Sequence, residues 1–236
     1  MMKTYLITGG SGFIGSNFIE ILKKKQNFII NLDKKKPYKI TNHLSLKKYK
    51  FIKGSINNKN LLLKILKNYK PDYIINFAAE THVDKSIYNP ELFFKNNVEG
   101  TLNLLKCLVE DNYKKIFVQV STDEVYGELK KNEKPFREDS KISPKNTYSI
   151  SKATADHLVQ YYSNNYNLNC IITRCSNNFG FWQHPEKLIP NTIMNCIKKQ
   201  KIPIYGDGKN IRDWINVRDH CLGIEKVIKK GKRGEI

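Results

Sequence analysis

Asp123 and Glu124 stand side by side in the stretch "STDEVYG", directly after the apolar run "KIFVQV". Adjacent carboxylates repel one another, and the end of a buried strand has no structural need of such a pair. In a partly desolvated pocket two neighbouring acids tend to split their pKa values, because both cannot easily be charged. One can then act as a base while the other still carries a proton. The residues alone do not say which does which, and the pair would titrate as a coupled unit. An exposed acidic turn with no chemistry is the plain alternative. Further along, "YSISK" puts Tyr148 and Lys152 four residues apart at an expected helix start, so both point to one face. A free tyrosine titrates near ~10 and is a poor base at neutral pH. A nearby ammonium stabilises the phenolate and lowers that value.

The glycines of "TGGSGFIG" suggest the third partner. Gly9, Gly12 and Gly15 fall between an expected first strand and first helix. They allow a tight turn and let a pyrophosphate approach the backbone, where the helix N-terminus offers N–H groups and positive dipole character. Asp33 ends the next expected strand, which is the context a dinucleotide site requires. A carboxylate there accepts hydrogen bonds from ribose hydroxyls and repels a 2′-phosphate, so NAD is expected rather than NADP. Lys34, Lys35 and Lys36 follow directly and could pair with such a phosphate; the preferred reading is a solvated lysine loop. An oxidised nicotinamide ring would add its positive charge to that of Lys152 in lowering the Tyr148 pKa.

These groups need a frame. "KTYLIT", "FIINLD", "YKFIKGS", "DYIINFAA", "KIFVQVS" and "NCIITRC" read as strands. They alternate with helical patterns in "FIGSNFIEILKKK", "NNKNLLLKILKNY" (Asn58 as N-cap), "PELFFKNNVEGTLNLLKCLVEDN" (Pro90 in the first turn) and "NTYSISKATADHLVQYYSNNY". That alternation predicts an α/β fold with a doubly wound parallel sheet of Rossmann type. After Cys175 the rhythm changes to a loop, a helix, a short strand at "IPIY" and a closing helix. The division expected is a dinucleotide-binding domain over 1–175 and a partial substrate-binding region over 176–236, whose last helix packs back on the first domain.

Composition excludes little but bounds the answer. The 236 residues, 40% of them hydrophobic, suffice for one large domain and carry no apolar run long enough for a membrane span. Five scattered cysteines without CxxC or Cys/His spacing point to free thiols in a reducing, cytoplasmic compartment and to no structural metal. The net charge of +19 is nearly all lysine, spread along the whole chain and accompanied by abundant asparagine and isoleucine. That mixture reflects coding bias rather than a nucleic-acid surface, which would be a stripe of arginine with aromatics between.

"TGGSGFIG", "NFAAETHVDKSI", "STDEVYG" and "YSISK", in this order, resemble the extended short-chain dehydrogenase/reductase superfamily. With "RCSNNFGFWQHPEKLIP" and "PIYGDGKNIRDWINVRDHC", the chain is similar over essentially its whole length to the dTDP-glucose 4,6-dehydratase family within it. The resemblance implies a three-step dehydration of a nucleoside-diphosphate glucose. Tyr148 takes the 4-hydroxyl proton while C4 is oxidised by NAD, and Thr122 hydrogen-bonds that oxygen. Glu124 removes the proton from C5 and Asp123 protonates the departing C6 hydroxyl. The stored hydride then returns to C6. Cofactor contacts are implied for Gly9, Gly12, Phe13, Ile14, Gly15, Asp33 and Lys34, for Ser55, Ile56, Ala78, Ala79 and Asn96, and for Tyr148 and Lys152. Substrate contacts are implied for Asn177, Lys187, Leu188, Tyr205 and Arg212, with His82 either reaching toward the sugar or serving as an ordinary loop histidine. The nucleotide-sugar is the expected partner, and a homodimer is expected through the helices at Glu91–Asn112 and Thr147–Tyr166.

The chain also departs from the family pattern. Ser55 stands where an aspartate usually faces the adenine, and Asn96 where threonine is common. "GFWQHPEKL" is bulkier than the usual "GPYQFPEKL". At "GKRGEI" relatives continue into another strand and the rest of the substrate lobe, so the expectation is an incomplete lobe with a sheet edge and apolar surface uncovered. A sister epimerase or decarboxylase, and an inactive NAD-binding fragment, stand as alternatives; the acid pair argues against the first.

Overall fold

The computed structural model describes residues 2–37, 48–130, 132–204 and 206–236, with backbone alone at 83–85. Six strands form one parallel sheet: β1 (Lys3–Thr8), β2 (Asn27–Asp33), β3 (Tyr49–Lys53), β4 (Tyr73–Asn76), β5 (Ile116–Thr122) and β6 (Asn169–Cys175). Their order is β3-β2-β1-β4-β5-β6. Alternate residues serve opposite faces, as the two-residue period of a strand demands. Leu6, Ile30, Ile74 and Phe117 pack into one core with helices α2 (Lys59–Tyr69), α5 (Gly100–Glu110) and α6 (Thr147–Asn165). Their neighbours Ile7, Ile29, Ile75 and Val118 pack into a second core with α1 (Phe13–Lys23) and α8 (Val217–Lys230). Burial on both faces is why these strands read as nearly continuous apolar runs. The doubly wound expectation is met, and the sheet order reverses direction between β1 and β4, where ligands of such folds bind.

The helix read as continuous from Pro90 is broken in register. Between the short α3 (Val83–Tyr88) and α5, α4 (Pro90–Phe93) passes into a π-helical stretch over Phe94–Glu99. The wider turn buries Asn96 and Asn97. Asn97 then holds the loop after β4 from both sides. Its Oδ1 accepts from the Glu80 N–H at 2.7 Å, and its Nδ2 donates to the Glu80 carbonyl at 3.0 Å and to Ser151 Oγ on α6 at 2.9 Å. These partners are distant in sequence, so helical periodicity carried no sign of the π turn.

A second difference lies in the last third. Residues 202–204, read as a strand, have no ladder; the strand is instead β8 (Trp214–Asn216), parallel to β7 (Asn177–Phe179) in a separate two-stranded sheet. α8 starts from Asn216, whose side chain accepts from the Arg218 N–H, and buries Cys221 and Ile224 against Phe18, Ile19 and Leu22 of α1. Its His220 Nδ1 lies 2.8 Å from Asn178 Oδ1, and burial pulls this imidazole down to about 4. At neutral pH it is therefore neutral and donates to the amide, tying β7 to the helix. The final residues lie along the edge of β6, with Gly234 N–H donating to the Cys170 carbonyl and Ile172 N–H to the Glu235 carbonyl. Helix α7 (Leu188–Ile197) buries none of its side chains; Leu188, Ile193, Met194 and Ile197 are exposed. No helix among the described residues is long and apolar enough to cross a membrane.

Candidate active site

A cleft of about 620 Å³ runs over the C-terminal ends of the large sheet, from the glycine loop at β1 to the end of β5. At its first end the glycines are sterically required. Gly9 has φ +69°, and a Cβ there would meet the backbone N of Ala78 at 2.6 Å. A Cβ on Gly15 would meet the Gly9 carbonyl oxygen at 2.5 Å. No side chain caps α1, so its first turn, opening at Phe13 and Ile14, is left for an anion from outside. Asp33 closes the loop: its Oδ2 accepts from the Ser11 N–H at 2.9 Å and its Oδ1 from the Lys35 N–H at 2.9 Å. Lone pairs remain on both oxygens for ribose hydroxyls. The bare helix terminus, the glycine cradle and this carboxylate fit a dinucleotide.

Lys34 is turned away from the role of phosphate partner. Its ammonium donates to Asn96 Oδ1 at 2.7 Å, and Asn57 Nδ2 approaches the same oxygen at 3.4 Å. Ser55 Oγ accepts from the Asn57 N–H at 3.2 Å, so the serine shapes its own loop. Ser55, Ile56, Ala78, Ala79 and Asn96 all line the cleft.

At the other end the acid pair sits in a 3-10 turn, Asp123–Tyr126, that begins where β5 stops. Thr122 caps it, with Oγ1 accepting from the Glu124 N–H at 3.3 Å and lying 3.3 Å from Asp123 Oδ1. Thr122 and Tyr148 both line the cleft, and Thr122 favours the ionised form of the Tyr148 hydroxyl. Burial, and next the charge of Glu124, push the Asp123 carboxyl above its ordinary range. Glu124 Oε2 accepts from Asn146 Nδ2 at 3.3 Å. The same Asn146 is the N-cap of α6, its Oδ1 taking the Ser149 N–H at 2.8 Å and its own N–H donating to Ser149 Oγ at 3.1 Å. One amide thus fixes Glu124 against the helix turn that carries Tyr148. Asn146 marked only the helix start in the sequence; its second bond is long-range and left no local signal.

The expected effect of Lys152 on Tyr148 is not produced by the chain alone. Both residues are buried. Lys152 donates to the Val120 carbonyl at 2.7 Å, and burial lowers its own pKa. The Tyr148 hydroxyl is pushed up, first by burial and then by the charge of Glu124. Lowering it therefore requires positive charge from outside the chain.

Tyr126, the tyrosine of "STDEVYG", is structural. Arg174 lies over its ring at 4.9 Å, donates to its hydroxyl at 2.8 Å, and pairs with the buried Asp156 of α6 at 3.0 Å. This triad joins the acid turn, β6 and α6. Replacing Arg174 with methionine should destabilise the fold by about 3–5 kcal/mol, because it leaves Asp156 buried without its guanidinium. Urea unfolding measures this, and a loss below about 1 kcal/mol would mean that the pair does not hold the turn.

Of the residues expected in the site, Thr122, Glu124, Tyr148, Lys152, Asn177, Lys187, Leu188 and Arg212 line the cleft together with those of the glycine end. Asp123 lies beside the wall rather than in it, and His82 stands outside it next to Thr81, which does line it. Tyr205 lies outside the described residues. The structure adds Cys175, Asn178, Gln183 and Trp214 to the lining. Trp214, read from sequence as core, is only half-buried because β8 delivers it to the cleft. Burial pushes the Cys175 thiol up to about 11, so it is no nucleophile at neutral pH.

Comparison with known proteins agrees with this geometry. A dTDP-glucose 4,6-dehydratase of Xanthomonas campestris pv. campestris (strain B100) is 42% identical over 247 residues, covering 99% of this chain and 70% of the relative. The crystal structure of the dTDP-glucose 4,6-dehydratase DesIV from Streptomyces venezuelae, with NAD bound, superposes with a TM-score of 0.89 at 38% identity, covering 99% of this chain and 74% of that one. A UDP-glucose 4-epimerase of Thermotoga maritima, solved with UDP-glucose, has the same TM-score of 0.89 at 27% identity, covering 98% and 75%. A family model described as GDP-mannose 4,6 dehydratase matches residues 6–236, spanning both the glycine loop and the acid turn, and the chain belongs to that family.

Proposed function

We infer that this protein is an NAD-dependent nucleotide-sugar 4,6-dehydratase and that its substrate is dTDP-glucose. The observation that carries the reading is the acid turn, capped by Thr122 and sharing the cleft wall with Tyr148, at the far end of a cleft that starts on a dinucleotide cradle. The relatives named above as dTDP-glucose 4,6-dehydratases support the substrate. An epimerase needs the hydroxyl, tyrosine and lysine but not two acids, so the turn favours dehydration.

The glycine loop, Asp33 and Lys152 would hold NAD, which would supply a hydride acceptor for C4 and a hydride donor for C6. Tyr148 takes the proton of the 4-hydroxyl, with Thr122 holding the same oxygen. The nicotinamide charge opposes the burial that raises the tyrosine pKa. Oxidation at C4 acidifies the C5 proton, which the Glu124 carboxylate removes. Asp123, whose carboxyl burial and its acidic neighbour push above the ordinary range, passes a proton to the C6 hydroxyl so that the group leaves as water. Glu124 returns its proton to C5 as C6 is reduced, which gives the 4-keto-6-deoxy sugar, and the proton taken up by Tyr148 balances the one given by Asp123.

The test is to incubate the purified chain with dTDP-glucose and no added cofactor, and to follow the nucleotide-sugar by mass spectrometry. The expected result is loss of one water. Intact substrate, with NAD still on the protein, would overturn the activity while leaving the cofactor site standing.

Residues 176–236 are assigned the substrate side, with Asn177, Lys187, Leu188 and Arg212 around the sugar diphosphate. Arg212 is suited to it by its planar fork of donors. The working form is assigned as a homodimer in the cytoplasm. Exposed Tyr161 on α6 and Tyr166 at its C-cap support the interface, and five free cysteines support a reducing compartment. Light scattering should return twice the chain mass of 27.5 kDa; a monomer at working concentration would refute the pairing.

A further inference from the structure

Cysteine spacing along the chain offers no metal site, yet folding gathers a different donor set. His82, just before α3, and His184 and Glu186, just before α7, each bring a ligand atom within 4.8 Å of the others. His82 Nδ1 lies 3.8 Å, and His184 Nδ1 3.7 Å, from the same oxygen, Glu186 Oε2. The two imidazoles meet edge to face at 87°, with centroids 5.6 Å apart, so they converge rather than stack.

We propose that His82, His184 and Glu186 form a binding site for a divalent first-row cation, zinc being the best match, which staples together the two segments flanking the mouth of the cleft. Two imidazoles and one carboxylate, with water in the fourth position, are a donor set zinc accepts. A tetrahedral cation about 2.1 Å from each donor holds the donors about 3.4 Å apart, so the contacts to Glu186 need close by only about 0.4 Å. His184 Nδ1 accepts a long bond, 3.4 Å, from the Glu186 N–H. Its lone pair therefore already lies on the nitrogen that faces the cluster, and coordination displaces only a weak contact.

His184 and Glu186 are exposed, so a cation can enter without opening the fold. The same two segments also meet next door, where Lys187 Nζ donates to the Thr81 carbonyl at 3.3 Å. Thr81 and Lys187 both line the cleft. A bound cation would therefore restrain the mouth at the substrate end and leave the glycine end untouched. On the dehydratase reading, this slows turnover reversibly.

The test is a titration of chelator-treated protein with cobalt(II), read by the visible absorption of a four-coordinate ion. One equivalent should bind and be displaced by zinc. His184→Phe and Glu186→Gln should each weaken binding by at least the roughly tenfold that losing even an outer partner of a ligand costs, with unchanged circular dichroism. No absorption in the parent, or equal absorption in both variants, would overturn the site. His184→Phe should keep metal-free turnover and lose its sensitivity to zinc; equal inhibition of parent and variant would overturn the restraint. The cobalt arm needs no turnover, so failure of the dehydratase reading and failure of the metal site are separately visible.

Discussion

Glu124→Gln should oxidise the sugar at C4 and then stop, with the cofactor held reduced and water release slowed by roughly 10²–10⁴-fold, the usual worth of a positioned general base. Glutamine matches the carboxylate in shape, and its amide oxygen can still accept from Asn146 Nδ2, the contact that fixes Glu124 at 3.3 Å. The turn and the N-cap of α6 are therefore retained. The first step is spared because it depends on Tyr148 and Thr122. Stopped-flow absorbance of the cofactor together with mass spectrometry of the sugar separates the two steps. Product formed at the parent rate would remove Glu124 from the base role. Loss of C4 oxidation as well would mean that the glutamate acts on Tyr148 rather than on C5.

Asp123→Asn should slow elimination by a similar factor, roughly 10²–10⁴-fold, for the opposite reason: an amide has no acidic proton to give. The pH dependence carries the sign. Asp123 works protonated, and burial and Glu124 raise its pKa. The parent rate should thus persist above the ordinary carboxyl range and fall as pH rises through that raised value. The variant's residual rate should lack that fall. Stability should move the other way. A carboxyl whose pKa is raised by folding contributes stability that is complete below its unfolded value and is lost as pH rises through the folded one. An amide, which never ionises, should therefore leave thermal stability unchanged below that folded value and higher above it. A variant that loses activity and stability together would point to a structural role, and an unchanged alkaline limb would move the proton elsewhere.

Much of this was readable along the chain because it is local. Glycine spacing, strand period, helix caps such as Asn58 and the Tyr148–Lys152 interval all depend on neighbours within a few residues. The six strands and the parallel, doubly wound sheet follow from runs such as "YLIT" and "FIINL" that are apolar on both faces. Position in the chain likewise placed the acid pair at a strand mouth. Only the folded chain could decide the rest. The π-helical turn exists because Asn97 reaches the Glu80 backbone and Ser151, contacts that span 17 and 54 residues. The strand read at 202–204 lies instead at Trp214–Asn216, because a strand needs a partner and β7 is in register there. Asp123 and Glu124 are neighbours in sequence, but burial, Thr122 and Asn146 make them unlike. Tyr148 and Lys152 share a helix face, yet Lys152 is held by the Val120 carbonyl and burial sets the tyrosine's pKa. Desolvation and long-range hydrogen bonds depend on every element packed around a group, and no window along the chain contains them.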